Sequence, residues 1–290
     1  MPFQTDKKGS RALNGETKAA ATNSSSNRKD ISTGRWLLGM LMASFFSFSY
    51  FFAPSYMITA ILCLIFRYPS FEWSLVIAAP LILSILSKPK KLHDGRILRP
   101  MADYFDFEEA FEMTDADIRE VLKKTNKRFI VAMQPHGVLS YCGMCAMTVC
   151  EPDVARIKTA AASVLLRTPI LKNVMGLFGL IDASRPSLQK HFKNEGIDGC
   201  VALYVGGIAE LFKSCPTEER LFLSGRKGFI KLALREGVDV IPTYLFGNTT
   251  ALSVLKHGPL ADLSRKLQVS LTYIWGKYYL PIPRDEKVRL

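Results

Sequence analysis

His136 stands where an imidazole could take a proton from a substrate, in the turn Pro135-His136-Gly137 directly after an apolar run. The proline before it restricts the backbone, and the glycine after it permits close approach of another group. A turn histidine packed for shape is the competing reading. His93 and His257 lie in basic or loop contexts and His191 on a polar stretch, so none of the three is given a role. Glu210 comes four residues after Gly206, where a helix is expected to open. A carboxylate there can cap backbone N–H groups, or it can orient an imidazole as the acid of a Ser-His-Asp triad does. The bare amides of Gly206 and Gly207 suit a developing oxyanion. A third polar turn, Gly247-Asn248-Thr249, also follows an apolar run. In an open α/β sheet such turns gather beyond the carboxyl ends of the strands.

The segment from Arg226 to Leu234 mixes basic and apolar residues at helical spacing, with Lys227, Lys231 and Arg235 on one face. That face is either solvated or the phosphate-binding start of a helix. Walker, Gly-x-Gly-x-x-Gly and Gly-x-Ser-x-Gly signatures do not occur, so nucleotide hydrolysis, Rossmann redox chemistry and serine hydrolysis have no support. Of the six cysteines, Cys142, Cys145 and Cys150 crowd one segment. No second pair or His partner completes a zinc pattern around Cys142-x-x-Cys145, and no metal is expected. The thiols read as reduced.

The chain that must position these groups has 290 residues, is 48% hydrophobic and carries a formal charge of +12. Residues 1–35 are rich in Ser, Asn, Thr, Lys and Gly and are expected to be a disordered arm. Residues 36–66 carry no charge, more than the ~20 apolar residues that span a bilayer. Arg67-Tyr68-Pro69-Ser70 interrupts, and residues 71–87 are apolar with Glu72 as the one charge. Phe45, Phe46, Phe48, Tyr50, Phe51, Phe52, Tyr68 and Trp73 crowd this region as interfacial belts do. The pattern predicts a helical hairpin over residues 36–87, transmembrane or re-entrant, with a buried soluble hairpin as the alternative. Arg28, Lys29 and Arg35 precede it and Lys88, Lys90, Lys91, Arg96 and Arg99 follow it, which places both ends in the cytosol. These flanks account for much of the net charge, and no nucleic-acid motif is present.

Residues 88–290 read as an α/β domain with a mainly parallel sheet covered by helices. Strands are predicted at 129–133, 157–162, 200–205 and 238–246. Helices are predicted at 103–124, 139–149, 169–177, 185–194 and 227–236.

Taken in order, the hairpin, Pro135-His136-Gly137, Gly206-Gly207-Ile208-Ala209-Glu210, Arg226-Lys227-Gly228-Phe229 and Pro242-Thr243-Tyr244-Leu245-Phe246-Gly247 resemble the type 2 diacylglycerol acyltransferase family over residues 36–283. The resemblance implies an endoplasmic-reticulum membrane enzyme whose N-terminus and catalytic domain face the cytosol. It implies acyl-CoA as co-substrate with no resident cofactor, a membrane-dissolved lipid acceptor, and triacylglycerol as product. Monoacylglycerol, wax alcohol and sterol remain alternative acceptors, and a non-catalytic lipid-binding relative is the alternative outside enzymes. Departures from the family pattern are Gln134 for the first His of His-Pro-His-Gly, Asp106 for Pro after Tyr104-Phe105, Lys172 for Arg after Pro169-Ile170-Leu171, and Asn248 for an acidic residue. Gly276-Lys277-Tyr278-Tyr279-Leu280-Pro281 resembles a late family motif, and the end at Leu290 reads as a shortened chain.

The mechanism this implies has His136 as general base and Glu210 orienting its ring. Pro135, Gly137, Lys172, Gly206, Gly207, Arg226, Lys227, Lys231 and Asn248 are the expected substrate-binding residues, with Gly206, Gly207 or Lys172 as oxyanion donors. A base at the attacking hydroxyl contributes roughly 10²–10⁴-fold. An acylated Cys142 or Cys145 is the lesser alternative.

Overall fold

The computed structural model describes residues 31–110, 120, 126–150, 154–215, 218, 220–267 and 272–290. The expected arm over residues 1–30 and most of the expected helix at 103–124 lie outside the described residues. Short apolar runs form a five-stranded sheet of β1 (Phe129–Gln134), β2 (Lys158–Ala161), β3 (Ile181–Asp182), β4 (Val201–Tyr204) and β5 (Asp239–Tyr244). Its order is β3-β2-β4-β1-β5, and every pairing is parallel. Ile130 pairs with Val201 on one side and Val240 on the other, so β1 lies inside the sheet between β4 and β5. Of the four strands expected from sequence, β2, β4 and β5 fall within their predicted bounds, and β1 runs one residue further, to Gln134. The two residues of β3 are too few to show a periodicity.

Both faces of the sheet are covered, which is why its central strands are apolar without alternation. Ile130, Ala160 and Val201 pack on one face with Leu188, Phe192, Leu232 and Ala233. Those partners lie on or next to α7 (Arg185–His191) and α9 (Gly228–Glu236). Met133 and Ala202 face the opposite side, into a larger core with Tyr104, Phe105, Tyr141, Cys142, Cys145 and Phe178. That core is built by α1 (Thr33–Phe66), α3 (Arg99–Tyr104), α4 (Tyr141–Val149) and α6 (Leu171–Gly176). Three further helices are α2 (Phe71–Leu86), α5 (Ser163–Arg167) and α8 (Ile208–Lys213). Near the end of the chain α10 (Pro259–Leu267) lies between β6 (Ser253–Val254) and β7 (Ile274–Trp275), which pair antiparallel.

Helix α1 starts at Thr33, three residues before the expected hairpin, and its 34 residues extend about 50 Å. It does two things along that length. Its first half belongs to the α/β core: Ala43 and Phe46 are buried there. Trp36 meets Tyr104 at 5.3 Å and Phe46 meets Phe178 at 5.1 Å between ring centroids. Tyr141 Oη donates to the Ala43 carbonyl at 2.9 Å. Its second half leaves the core and packs on α2 through Ala60, Ala78 and Leu81, with Tyr56 Oη donating to the Ile77 carbonyl at 2.6 Å. The outer surface of this pair is apolar and exposed, including Phe52, Ile58, Ile65, Phe66, Trp73, Val76 and Leu83. The second half of α1 and the outer face of α2 are therefore not buried in the core of this chain. Among the described residues α1 alone is long and apolar enough to cross a membrane; α2 is apolar but shorter.

The far end of α2 comes back to the domain. Ser84 Oγ donates to Asn173 Oδ1 at 2.5 Å and accepts the Ile170 N–H at 2.6 Å. Lys172 Nζ donates to the carbonyls of Ile85 and Ser87 at 3.2 and 2.9 Å, closing the last turn of α2, where carbonyls lack helical partners. A domain boundary at residues 87–88 is thus crossed by a polar seam on α2 and by a shared core on α1.

The closest approach in that shared core is at Gly39, where a Cβ would stand 2.0 Å from the Pro100 carbonyl oxygen. Gly39→Ala is expected to lower stability by about 1–3 kcal/mol, the usual range for overpacking. Gly34→Ala, with nothing within 4 Å, serves as the control. Thermal melting of the detergent-solubilised chain measures both, and equal melting points would place α1 outside the folded core.

Candidate active site

The three polar turns do converge. Because β4, β1 and β5 are adjacent and parallel, the segments leaving their carboxyl ends share one rim of the sheet. A turn at that rim has main-chain groups that no strand can pair, and buried groups of this kind require partners. The carboxylate of Glu210, 1% exposed in α8, supplies one. Its Oε2 accepts the His136 main-chain N–H at 2.8 Å and its Oε1 accepts the Phe222 N–H at 3.0 Å. Gly206 makes room for it, since a Cβ there would stand 1.9 Å from the Glu210 carboxyl carbon.

Asn248, also 1% exposed, supplies the others. Its Nδ2 donates to the carbonyls of Pro135 and His136 at 2.9 and 2.7 Å. Its Oδ1 accepts the Cys142 N–H at 3.2 Å, which ties the turn to the first residues of α4. Gly137 packs against the Asn248 main chain. Asn248, Gly137 and Pro135 therefore build the turn, and these contacts give them a scaffolding place rather than a direct hold on a ligand.

The half-buried imidazole of His136 is set by a different group from the one expected. Glu210 was expected to hold the ring, and its carboxylate instead holds the main chain beneath it. The ring nitrogen Nδ1 lies 2.9 Å from the Gly137 carbonyl. A carbonyl only accepts, so Nδ1 carries the proton of the neutral ring and Nε2 keeps the lone pair. Desolvation lowers the His136 pKa below its ordinary value; the Gly137 hydrogen bond and the nearby Glu210 charge oppose that shift without reversing it. A neutral imidazole with an unprotonated Nε2 is in the form that a general base needs at neutral pH. Tyr204, at the end of β4, packs edge-on against the ring at 4.9 Å between centroids.

Arg226 lies at the same turn. Its Nη2 donates to the Gly206 carbonyl at 3.0 Å, and its guanidinium lies over the Phe222 ring, 5.1 Å from the centroid. Lys213 Nζ stands 4.8 Å from the same ring centroid. Arg226 Nε is buried without a hydrogen-bond partner among the described residues. A buried donor in that state has a strong tendency to take an anionic oxygen. Gly207 stands beside it: a Cβ there would lie 4.0 Å from Arg226 Nη2. Lys227 and Lys231 are exposed at the start of α9. Lys172 does not join the site, since its hydrogen bonds go to the end of α2. Gln134, in the place of a family histidine, has a buried Oε1 with no hydrogen-bond partner among the described residues.

Cys142 and Cys145 are fully buried, and desolvation pushes both thiols far above the usual range, which removes the thiolate that an acyl-enzyme would need. No group of three or more His, Cys, Asp or Glu able to hold a metal occurs among the described residues. Sequence reading missed Tyr204, Phe222 and Lys213. Strand alternation points Tyr204 toward the His136 side, whereas nothing in residues 211–225 marks Phe222 as the link between Glu210 and Arg226.

No solved structure matches the chain. Bovine diacylglycerol O-acyltransferase 2 is 30% identical over 131 residues, which cover 42% of this chain and 36% of that protein. The Dictyostelium discoideum protein of the same name is 28% identical over 156 residues, 52% of this chain and 47% of its own length. Mouse acyl-CoA wax alcohol acyltransferase 1 is 30% identical over 132 residues, 43% of this chain and 39% of its own. The matched part is thus between a third and a half of these relatives. The diacylglycerol acyltransferase family model matches residues 87–280, which span β1 to β7 and every turn of the rim. On that match the chain belongs to the diacylglycerol acyltransferase family.

Proposed function

We propose that the chain is an acyl-CoA-dependent O-acyltransferase that esterifies a lipid hydroxyl, with diacylglycerol as acceptor and triacylglycerol as product. The observation that carries this reading is the fixed tautomer of His136, with Nδ1 on the Gly137 carbonyl and Nε2 left basic. In the reaction, Nε2 takes the hydroxyl proton as the alcohol oxygen attacks the thioester carbonyl. The tetrahedral intermediate then collapses, the carbon–sulfur bond breaks, and the proton passes to the departing coenzyme A thiolate. Arg226 Nε supports stabilisation of negative charge beside Gly206 and Gly207. The thioester is already activated, so no covalent intermediate is required. The relatives support the reaction class and divide over the acceptor, since their names specify diacylglycerol in some and a wax alcohol in others.

The basic residues Lys213, Arg226, Lys227 and Lys231 line the approach to the rim and suit the phosphates of coenzyme A. The hairpin supplies a bilayer contact for an acceptor that stays dissolved in lipid. The second half of α1 and the 16 residues of α2 would each reach about 24 Å, short of a ~30 Å hydrocarbon core, which favours a re-entrant hairpin. Both of its ends return to the α/β domain, in keeping with basic flanks on a common, cytosolic side of the endoplasmic-reticulum membrane.

Microsomes containing the chain, given labelled acyl-CoA and a panel of acceptors, test the reaction and name the acceptor. His136→Ala is expected to lower kcat at least about a hundredfold with melting unchanged. Because desolvation lowers the His136 pKa, its neutral form persists to lower pH, so the acid limb of kcat/KM should fall below pH ~6.5. Product from no acceptor while the parent is folded would leave a lipid-binding protein. Retained activity in His136→Ala would remove the base assignment.

Arg226→Ala is expected to raise KM for acyl-CoA about tenfold or more, as fits a charged hydrogen bond of about 1.5–3 kcal/mol. Lys227→Ala and Lys231→Ala should produce smaller increases that vanish in high salt, because exposed charges are screened. An unchanged KM in all three variants would return this surface to solvent.

A further inference from the structure

The strained turn at Tyr278 and Tyr279 stands apart from the catalytic rim. Lys277 pairs antiparallel with Ile282, and the Leu280 N–H closes the turn on the Lys277 carbonyl at 3.0 Å. Its two central residues have φ of 56° and 57°. Positive φ at both positions is the geometry for which hairpins ordinarily use Asn-Gly, and bulky residues there carry backbone strain. Here both are tyrosines, 82% and 77% exposed, followed by Leu280 at 47%. Strain of this kind combined with exposure is not a packing solution, because the rings cover almost nothing of the protein.

The turn is fastened to the helix that enters the bilayer in the proposed function. Ser47 Oγ of α1 donates to the Pro281 carbonyl. Tyr273 packs edge-on against Phe51 of α1 at 5.8 Å, and its hydroxyl donates to the Tyr279 carbonyl. The tip therefore stands beside α1 near residues 47–51, where that helix leaves the core and its apolar surface becomes exposed. The nearest basic residue is turned inward: Lys277 pairs with Asp285 at 2.6 Å and lies over the Trp36 ring, 5.0 Å from the centroid. Residues 278–283 carry no charge.

We infer that Tyr278, Tyr279 and Leu280 form a second membrane contact, seated in the interfacial layer of the leaflet that the hairpin enters. Tyrosine suits that layer because its ring is apolar and its hydroxyl can stay hydrated. The occupant is lipid rather than a protein partner because the tip, itself uncharged from residue 278 to 283, stands beside the exposed apolar surface of α1. Two attachments, the hairpin and the tip, fix the tilt of the α/β domain on the bilayer, which neither does alone. This inference rests on the hairpin being embedded in the membrane, as proposed above.

The test uses the full chain reconstituted in phosphatidylcholine vesicles, with an environment-sensitive fluorophore on Tyr279→Cys, Leu62→Cys or Lys190→Cys and the signal of the unsubstituted chain subtracted. Leu62 is an exposed residue of the α1 hairpin, and Lys190 is exposed on α7. Lipids with a nitroxide high on the acyl chain should quench the Tyr279 and Leu62 probes, while aqueous iodide should quench Lys190 at least several-fold more than Tyr279. Iodide quenching of Tyr279 equal to Lys190, with Leu62 still quenched by lipid, overturns the tip contact and leaves the hairpin standing. Iodide quenching of Leu62 as well overturns the membrane reading itself. A Tyr279 probe shielded from both quenchers would lie against protein, and the lipid assignment fails.

Discussion

A buried carboxylate with two main-chain N–H groups on it is the contact on which the site depends. Glu210 receives one N–H from the turn after β1 and another from Phe222, eighteen residues beyond the end of β4 in a separate loop of the same rim. A charge taken out of water is expensive unless its lone pairs are filled. Once they are filled, each charged hydrogen bond contributes about 1.5–3 kcal/mol, and the loops that provide them lose their freedom. The carboxylate therefore converts a desolvation penalty into a rigid junction between strands β1 and β4. Asn248 repeats the arrangement from the β5 side with the opposite polarity, donating to the two carbonyls that precede and belong to His136.

With the turn held from both sides, the ring needs little further help. The neighbouring Gly137 carbonyl fixes the tautomer, and burial keeps the imidazole neutral. This divides labour differently from a triad, where one acid both orients the base and stabilises its charge. Arg226 completes the junction by capping the Gly206 carbonyl, so the group with an unfilled donor stands next to the residue that admits Glu210. Loss of any one of these side chains would loosen a single connected assembly.

Much of this was legible in the residues, and the reasons for the remainder are physical. The buried strands β1 and β4 read as continuous apolar runs, and the runs of β2 and β5 were also visible, which placed three turns at one rim. The identities of His136, Glu210 and Arg226 were visible through the same turns. What Glu210 bonds was not, because Glu210 and His136 are 74 residues apart and a carboxylate reaches a ring nitrogen or a main-chain N–H with equal chemical sense. Lys172 was read as an oxyanion donor from a motif position, and only the return of α2 to Asn173 shows that it closes a helix end. The apolar run of α1 disguised a change of role at mid-helix, since its core-facing and outward-facing residues are equally hydrophobic.

The claim that Glu210 acts on the main chain, and not on the imidazole, is tested most directly by a thermal-stability cycle on the detergent-solubilised chain. Glu210→Gln puts an amide donor where two N–H groups need acceptors, and it should lower stability by about 1–3 kcal/mol. The His136 N–H remains when the ring is removed, so the same loss is expected in the His136→Ala background, with a coupling near zero. A loss that disappears once the ring is gone would tie the carboxylate to the imidazole and contradict the account.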